Sequence, residues 1–94
     1  MDDRRNSSLL LKIAMWKLTL YSKPGCHLCD DAKRAIQEFA KECELTLDEV
    51  DISKDKALWD KYCYDIPVLL LDGEEIARHH IGIKKLRVIQ KRRG

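Results

Sequence analysis

Cys26 and Cys29 are the residues of this chain best suited to do chemistry, and their spacing says which chemistry. They enclose His27 and Leu28 and follow the turn-forming run Ser22-Lys-Pro-Gly25. Two thiols three residues apart, at the start of a helix, suit reversible exchange between dithiol and disulfide. Cys26 would stand at or just before the helix N-terminus, where unpaired backbone N–H groups and the helix dipole stabilise a thiolate. Lys23 adds a positive charge nearby, and His27 would add another if protonated, so both are candidates for tuning the Cys26 thiol. Cys26 is therefore the expected nucleophile. Cys29, one turn further in, is the expected resolving thiol, which attacks the mixed disulfide and releases the reduced substrate. The short spacing makes that second step intramolecular.

The same pair could form half of a zinc site or, across a dimer, hold an iron–sulfur cluster, and a metal or cluster-binding module is the alternative function. A zinc site needs two more ligands. The chain has no second C-x-x-C and no H-x-x-x-H pair, and only Cys63, His79 and His80 stand as residues to complete one, so no metal is expected. Cys43 and Cys63 are expected to be structural thiols, Cys43 on the buried stripe of a helix and Cys63 near the loop that contains Pro67. His79 and His80 are expected to point to opposite faces of a strand.

The elements that must position the pair follow from periodicity. Trp16–Tyr21 alternates apolar and polar residues and reads as a strand. From Cys26 onward, Leu28, Ala32, Ala35, Ile36, Phe39, Ala40 and Cys43 recur at helical spacing, enough for a helix of about four to five turns. Leu45–Ile52 reads as a second strand, with Leu45 and Leu47 in phase and Val50 and Ile52 in phase after a slip. Ser53 or Asp55 can cap a short helix running to about Tyr62, with Leu58, Trp59 and Tyr62 inward. Asp65-Ile66-Pro67 is a break before the apolar run Val68–Leu71, a central buried strand. Asp72-Gly73 is a hairpin signal, leading through Glu74 and Glu75 to an antiparallel strand over Ile76–His79. After Gly82, Ile83, Leu86, Ile89 and Gln90 share one face of a final helix. The order is β-α-β-α-β-β-α. It predicts an α/β fold with a four-stranded mixed sheet flanked by three helices, its first half a right-handed βαβ unit.

Composition bounds the rest. Ninety-four residues, 45% hydrophobic and 36% charged, make one soluble domain with a single modest core. A net charge of +2 argues against a strong pull toward nucleic acid or an anionic membrane. The basic end, Lys84, Lys85, Arg87, Lys91, Arg92 and Arg93, reads as a solvated helix face. No stretch is long enough to span a membrane. Residues 1–14 are read as a poorly ordered extension rather than a secretory signal, with residues 15–94 as the domain. Four cysteines spaced in this way point to a reducing cytoplasm rather than to a secreted disulfide scaffold.

The runs Thr19-Leu-Tyr-Ser-Lys-Pro-Gly-Cys-His-Leu-Cys-Asp30, Asp65-Ile-Pro-Val-Leu69 and Leu71-Asp-Gly-Glu74 resemble the glutaredoxin-like branch of the thioredoxin superfamily. The resemblance covers about residue 15 to the C-terminus. It implies a thioredoxin fold, with Pro67 in the cis form beside the cysteines and the Ile66 backbone presented as a docking edge for the substrate's chain. Lys23, Ile66 and Pro67 are then the substrate-binding candidates. The implied function is that of a small dithiol thiol–disulfide oxidoreductase, with no bound cofactor and glutathione or a reductase as electron donor. Its substrate would be a disulfide-containing protein or a small thiol, and the chain would work as a monomer. Three features depart from the pattern. Asp65 replaces the usual Thr and would repel a glutathione carboxylate, Gly82 stands where a glycine pair is usual, and His-Leu replaces the common Pro-Tyr between the cysteines.

Overall fold

A computed structural model of the protein describes residues 15–93. The extension expected over residues 1–14 lies outside the described residues. Strand β1 (Trp16–Ser22) leads to helix α1 (His27–Phe39), then strand β2 (Leu45–Asp51), a 3₁₀ turn (Ile52–Lys54) and helix α2 (Lys56–Tyr62). Strands β3 (Val68–Leu71) and β4 (Glu74–Arg78) form a hairpin, and helix α3 (Ile83–Arg93) follows. The sheet order is β2-β1-β3-β4, with β1 parallel to β2 and antiparallel to β3, and β3 antiparallel to β4. The mixed four-stranded sheet with three helices is the architecture the sequence implies.

Alternation along β1 divides the molecule into two layers. Trp16, Leu18 and Leu20 point to one face and are buried there with Ala32, Ile36 and Phe39 of α1 and Leu86 of α3. Trp16 and Phe39 meet ring to ring, with centroids 5.3 Å apart and planes tilted by 53°. Tyr21 belongs to the opposite face, where its ring lies 4.9 Å from that of Tyr62 on α2. Helices α1 and α3 therefore cover one side of the sheet and α2 the other. Strand β3 is buried at all its positions, as a strand covered on both faces must be.

Several local signals act as the sequence predicts. Asp55 is the cap of α2, its carboxylate accepting the Leu58 N–H at 3.1 Å. Asp72 and Gly73 take φ values of 52° and 86°, the left-handed pair that a two-residue hairpin turn requires.

Other expectations need correction. Helix α1 ends at Phe39, so Cys43 is not on its stripe. The N–H groups of Lys41 and Glu42 bond back three residues, to Glu38 and Phe39. That tighter turn brings Cys43 under the core, where it is buried all the same. Strand β2 has no slip, since its register with β1 is unbroken from Leu45 to Asp51. Glu49 shares the face of Leu45 and Leu47, and it accepts a hydrogen bond from the Ser22 hydroxyl at 3.0 Å and pairs with Lys33 at 3.2 Å. The hydrophobic phase changes because that face becomes polar, not because the strand shifts. Trp59 does not turn inward and is 37% exposed.

Strand β4 starts at Glu74 and ends at Arg78, so His79 and His80 lie beyond it and do not straddle its faces. His79 has left-handed backbone, with φ 68°. Leu69 faces Ala77 whereas Leu70 faces Glu75, which makes Ile76 the extra residue of a β-bulge.

The core assignment yields a stability test. Phe39 is fully buried against Trp16, so Phe39→Ala is expected to cost about 3–5 kcal/mol. Val88, half exposed on α3, should cost less than about 0.5 kcal/mol when changed to Ala. Urea unfolding followed by far-UV circular dichroism measures both.

Candidate functional site

The cysteine pair is placed by the junction between β1 and α1. Proline at position 24 and Gly25, with φ 78°, turn the chain after Ser22 and hold off the helix until residue 26. Cys26 is the N-cap of α1, with extended backbone (φ −95°, ψ 111°). Its carbonyl accepts the Asp30 N–H at 3.1 Å, and its Sγ accepts the Cys29 N–H at 3.2 Å. The sulfur thus takes the place that a serine or aspartate oxygen fills at an ordinary cap.

One turn of helix then separates the two thiols by environment. Cys26 is half-buried, while Cys29 is only 1% exposed. Burial, and next the hydrogen bond with the Cys26 side chain, push the Cys29 thiol up from 9.0 to about 12. A backbone hydrogen bond at Lys23 opposes these two, and weaker electrostatic effects of Cys26 and Asp30 add to the rise. Cys29 is therefore held protonated at neutral pH, beside an accessible sulfur that sits on a helix end.

Cys29 packs with Ile52 and Ile66, and Tyr21, Cys26, Leu58 and Tyr62 close around that cluster. The Ile66–Pro67 peptide bond is cis. The structure therefore brings Cys26, Cys29 and Ile66 together, with Pro67 next in the chain. His27 is exposed on the first turn of α1. The Lys23 ammonium lies over the ring of Trp59, 5.5 Å from its centroid, a cation–π contact across the mouth of the turn.

Cys63 is the C-cap of α2, half-buried and outside the cluster. Cys43 lies in the other core layer, and burial raises its pKa too. Among the described residues, no three His, Cys, Asp or Glu side chains gather to hold a metal ion.

Sequence reasoning missed Tyr21, Leu58 and Tyr62 as walls of the site. Tyr21, the aromatic on the odd face of β1, was the available signal. It also missed the setting of Asp65. The Asp65 carboxylate lies 3.2 Å from Arg78 Nη1 and 3.8 Å from His79 Nε2. Its charge has a neighbouring guanidinium, but Arg78 is also paired with Glu75, so the Asp65 charge is reduced and not cancelled.

A mixed sheet ordered in this way, with a C-x-x-C pair opening the helix after the first strand and a cis proline beside it, defines a thioredoxin-fold protein. The comparisons agree. A thioredoxin from Fasciola hepatica superposes with a TM-score of 0.58 at 21% identity, covering 98% of this chain and 94% of that one. A structural-genomics protein from X. campestris, XcR50, superposes with a TM-score of 0.68 at 33% identity, over 80% of this chain and 96% of that one.

Within that class, residues 17–89 match the family described as Glutaredoxin-like domain (DUF836), and the chain belongs to it. It is also 35% identical over 75 residues to the "Glutaredoxin-like protein YDR286C homolog" of Dictyostelium discoideum, spanning 73% of this chain and 69% of that protein. The C-x-x-C pair on this fold fits a redox role. Among the described residues, no helix is long and apolar enough to cross a membrane.

The unequal environments predict unequal reactivity. At pH 7.5, iodoacetamide should label Cys26 at least about tenfold faster than Cys29, read by peptide mass spectrometry. Cys29 should react only as the pH approaches 12. The folded thiol resists an ionisation that the unfolded chain undergoes near 9.0, so folding stability is expected to fall as the pH rises from 9.0 toward 12. Replacing Cys29 by alanine should flatten that fall. Equal labelling of the two thiols at neutral pH would contradict the assignment.

Proposed function

We propose that this chain is a dithiol thiol–disulfide oxidoreductase. The observation that carries the reading is the arrangement of a half-exposed thiol, capping a helix, over a buried thiol one turn away. In the first step the Cys26 thiolate attacks one sulfur of a substrate disulfide. The substrate S–S bond breaks, a mixed disulfide forms at Cys26, and the first substrate thiol leaves and takes up a proton. In the second step Cys29 gives up its proton and attacks Cys26 Sγ. The mixed disulfide breaks, the second substrate thiol leaves, and the Cys26–Cys29 disulfide carries the two electrons' worth of oxidation. An external thiol reductant restores the dithiol.

The Cys29 N–H supports the first step, because it already points at the sulfur that bears negative charge when Cys26 attacks. Burial of Cys29 supports the order of events. A thiol held at a pKa of about 12 is a poor attacker of external disulfides, and it acts only on the sulfur beside it. Ile66, next to the pair, supports docking of an extended substrate segment along the backbone before cis Pro67. Arg78 meets Asp65 while also holding Glu75, so one guanidinium faces two carboxylates and the contact reduces the Asp65 charge without cancelling it. Glutathione and thioredoxin reductase are both compatible donors, and a reducing compartment is the natural setting.

Cys26→Ser should abolish reduction of an insulin or peptide disulfide, a loss of at least about 100-fold in a coupled assay. Cys29→Ser should block closure of the intramolecular disulfide and accumulate the mixed disulfide, visible as added mass on Cys26. Undiminished activity in Cys26→Ser would sink the proposal. Running the same assay with glutathione and its reductase, and then with thioredoxin reductase, identifies the donor.

A further inference from the structure

Arg78 lies on β4, away from the cysteine pair, yet the structure ties it to the loop opposite them. The loop Asp65-Ile66-Pro67 is held from several sides. At its start the Asp65 N–H bonds to the Tyr62 carbonyl at the end of α2, at 2.8 Å. At its end the Pro67 carbonyl accepts the His79 N–H, also at 2.8 Å. Between these, the Asp65 carboxylate meets Arg78 Nη1 at 3.2 Å. Ile66, enclosed by these ties, is the residue that packs on Cys29 and Cys26.

The geometry of Arg78 is set by the irregularity in β4. In a regular strand, residues three apart point to opposite faces. Ile76 is an extra residue in the ladder, so the alternation resets between Glu75 and Arg78 and the two side chains share a face. Glu75 then takes the Nε and Nη2 edge of the guanidinium with both carboxylate oxygens. A bidentate pair fixes the plane of an arginine. The remaining Nη1 is left aimed at Asp65. The bulge also brings β4 to its end at Arg78, where His79 turns left-handed and delivers its N–H to Pro67.

We infer that Arg78, oriented by Glu75, is a positioning residue that acts through Asp65 to hold the Ile66–Pro67 edge in place for the backbone of an extended disulfide substrate. The inference rests on the oxidoreductase reading of the Cys26–Cys29 pair. Arg78 touches no reacting atom. Its effect is felt by a substrate that docks along the loop, and far less by a small disulfide that needs only the sulfur of Cys26.

The test compares the full chain with Arg78→Gln, Arg78→Lys, Asp65→Ala and the Arg78→Gln/Asp65→Ala double variant. Each is assayed on a peptide of about ten residues carrying a disulfide, and on 2,2′-dithiodipyridine, a small neutral disulfide. Arg78→Gln is expected to lower kcat/KM on the peptide about fivefold, mainly through KM, with less than about twofold loss on dithiodipyridine. Arg78→Lys should recover part of the loss. Asp65→Ala should match Arg78→Gln, and the double variant should be no worse than either single one. An unchanged Arg78→Gln, equal losses on both substrates, or additive losses in the double variant would each overturn the inference alone. A wild-type chain that reduces neither disulfide would overturn the oxidoreductase reading, and this inference with it.

Discussion

The contact between Cys26 Sγ and the Cys29 N–H is the interaction on which the rest of the site depends. It requires the helix to start where it does. Each residue added to or removed from the start of α1 would rotate the sulfur by about 100° around the helix axis and lose the amide. Proline at 24 and Gly25 set the start from one side. From the other, the buried stripe of Ala32, Ile36 and Phe39 fixes the rotation of α1 on the sheet. A packing interaction of the far turns therefore controls the exposure of a sulfur at the near one. The same rotation that leaves Cys26 accessible drives Cys29 into the cluster with Ile52 and Ile66.

The larger core and the cysteine pair occupy opposite faces of one sheet. The larger layer, beneath α1 and α3, is built from Trp16, Leu18, Leu20, Phe39 and Leu86. The smaller layer, beneath α2, contains both thiols of the pair and two tyrosines. A buried thiol is a small apolar group while protonated, so Cys29 packs with Ile52 and Ile66 as an apolar side chain would. Tyr21 lies on the face of β1 that the larger core does not use, which makes it available to line the site.

Charge around the site is managed in pairs. Glu49 joins Ser22 and Lys33 on one flank, Asp55 is consumed as the cap of α2, and Asp65 is met by Arg78. The last of these is shared, because Arg78 also holds Glu75, so the charge of Asp65 is reduced and not cancelled. A carboxylate's influence on a docking surface depends on what neutralises it, and here that partner comes from another strand.

The amino-acid sequence by itself determined the elements and their order, because those follow from local repeats: alternation in β1, helical spacing after Cys26, the apolar run of β3, and the Asp72-Gly73 turn. It also determined where Cys26 and Cys29 stand relative to the helix start, since that is set by the few residues around them. Only the tertiary structure decided which side chains gather at that start. Tyr21, Ile52, Ile66 and Tyr62 come from four separate elements, and no local pattern marks them as neighbours. The tertiary structure alone also decided that Cys43 is buried past the end of its helix, that Trp59 faces outward beneath Lys23, and that Arg78 reaches Asp65. The first depends on how the chain leaves α1, and the last on one extra residue in β4. Both are matters of how elements fit against one another. The spacing of Cys26 and Cys29 fits a redox role, but it is the packing of distant residues that makes one sulfur reachable and the other buried.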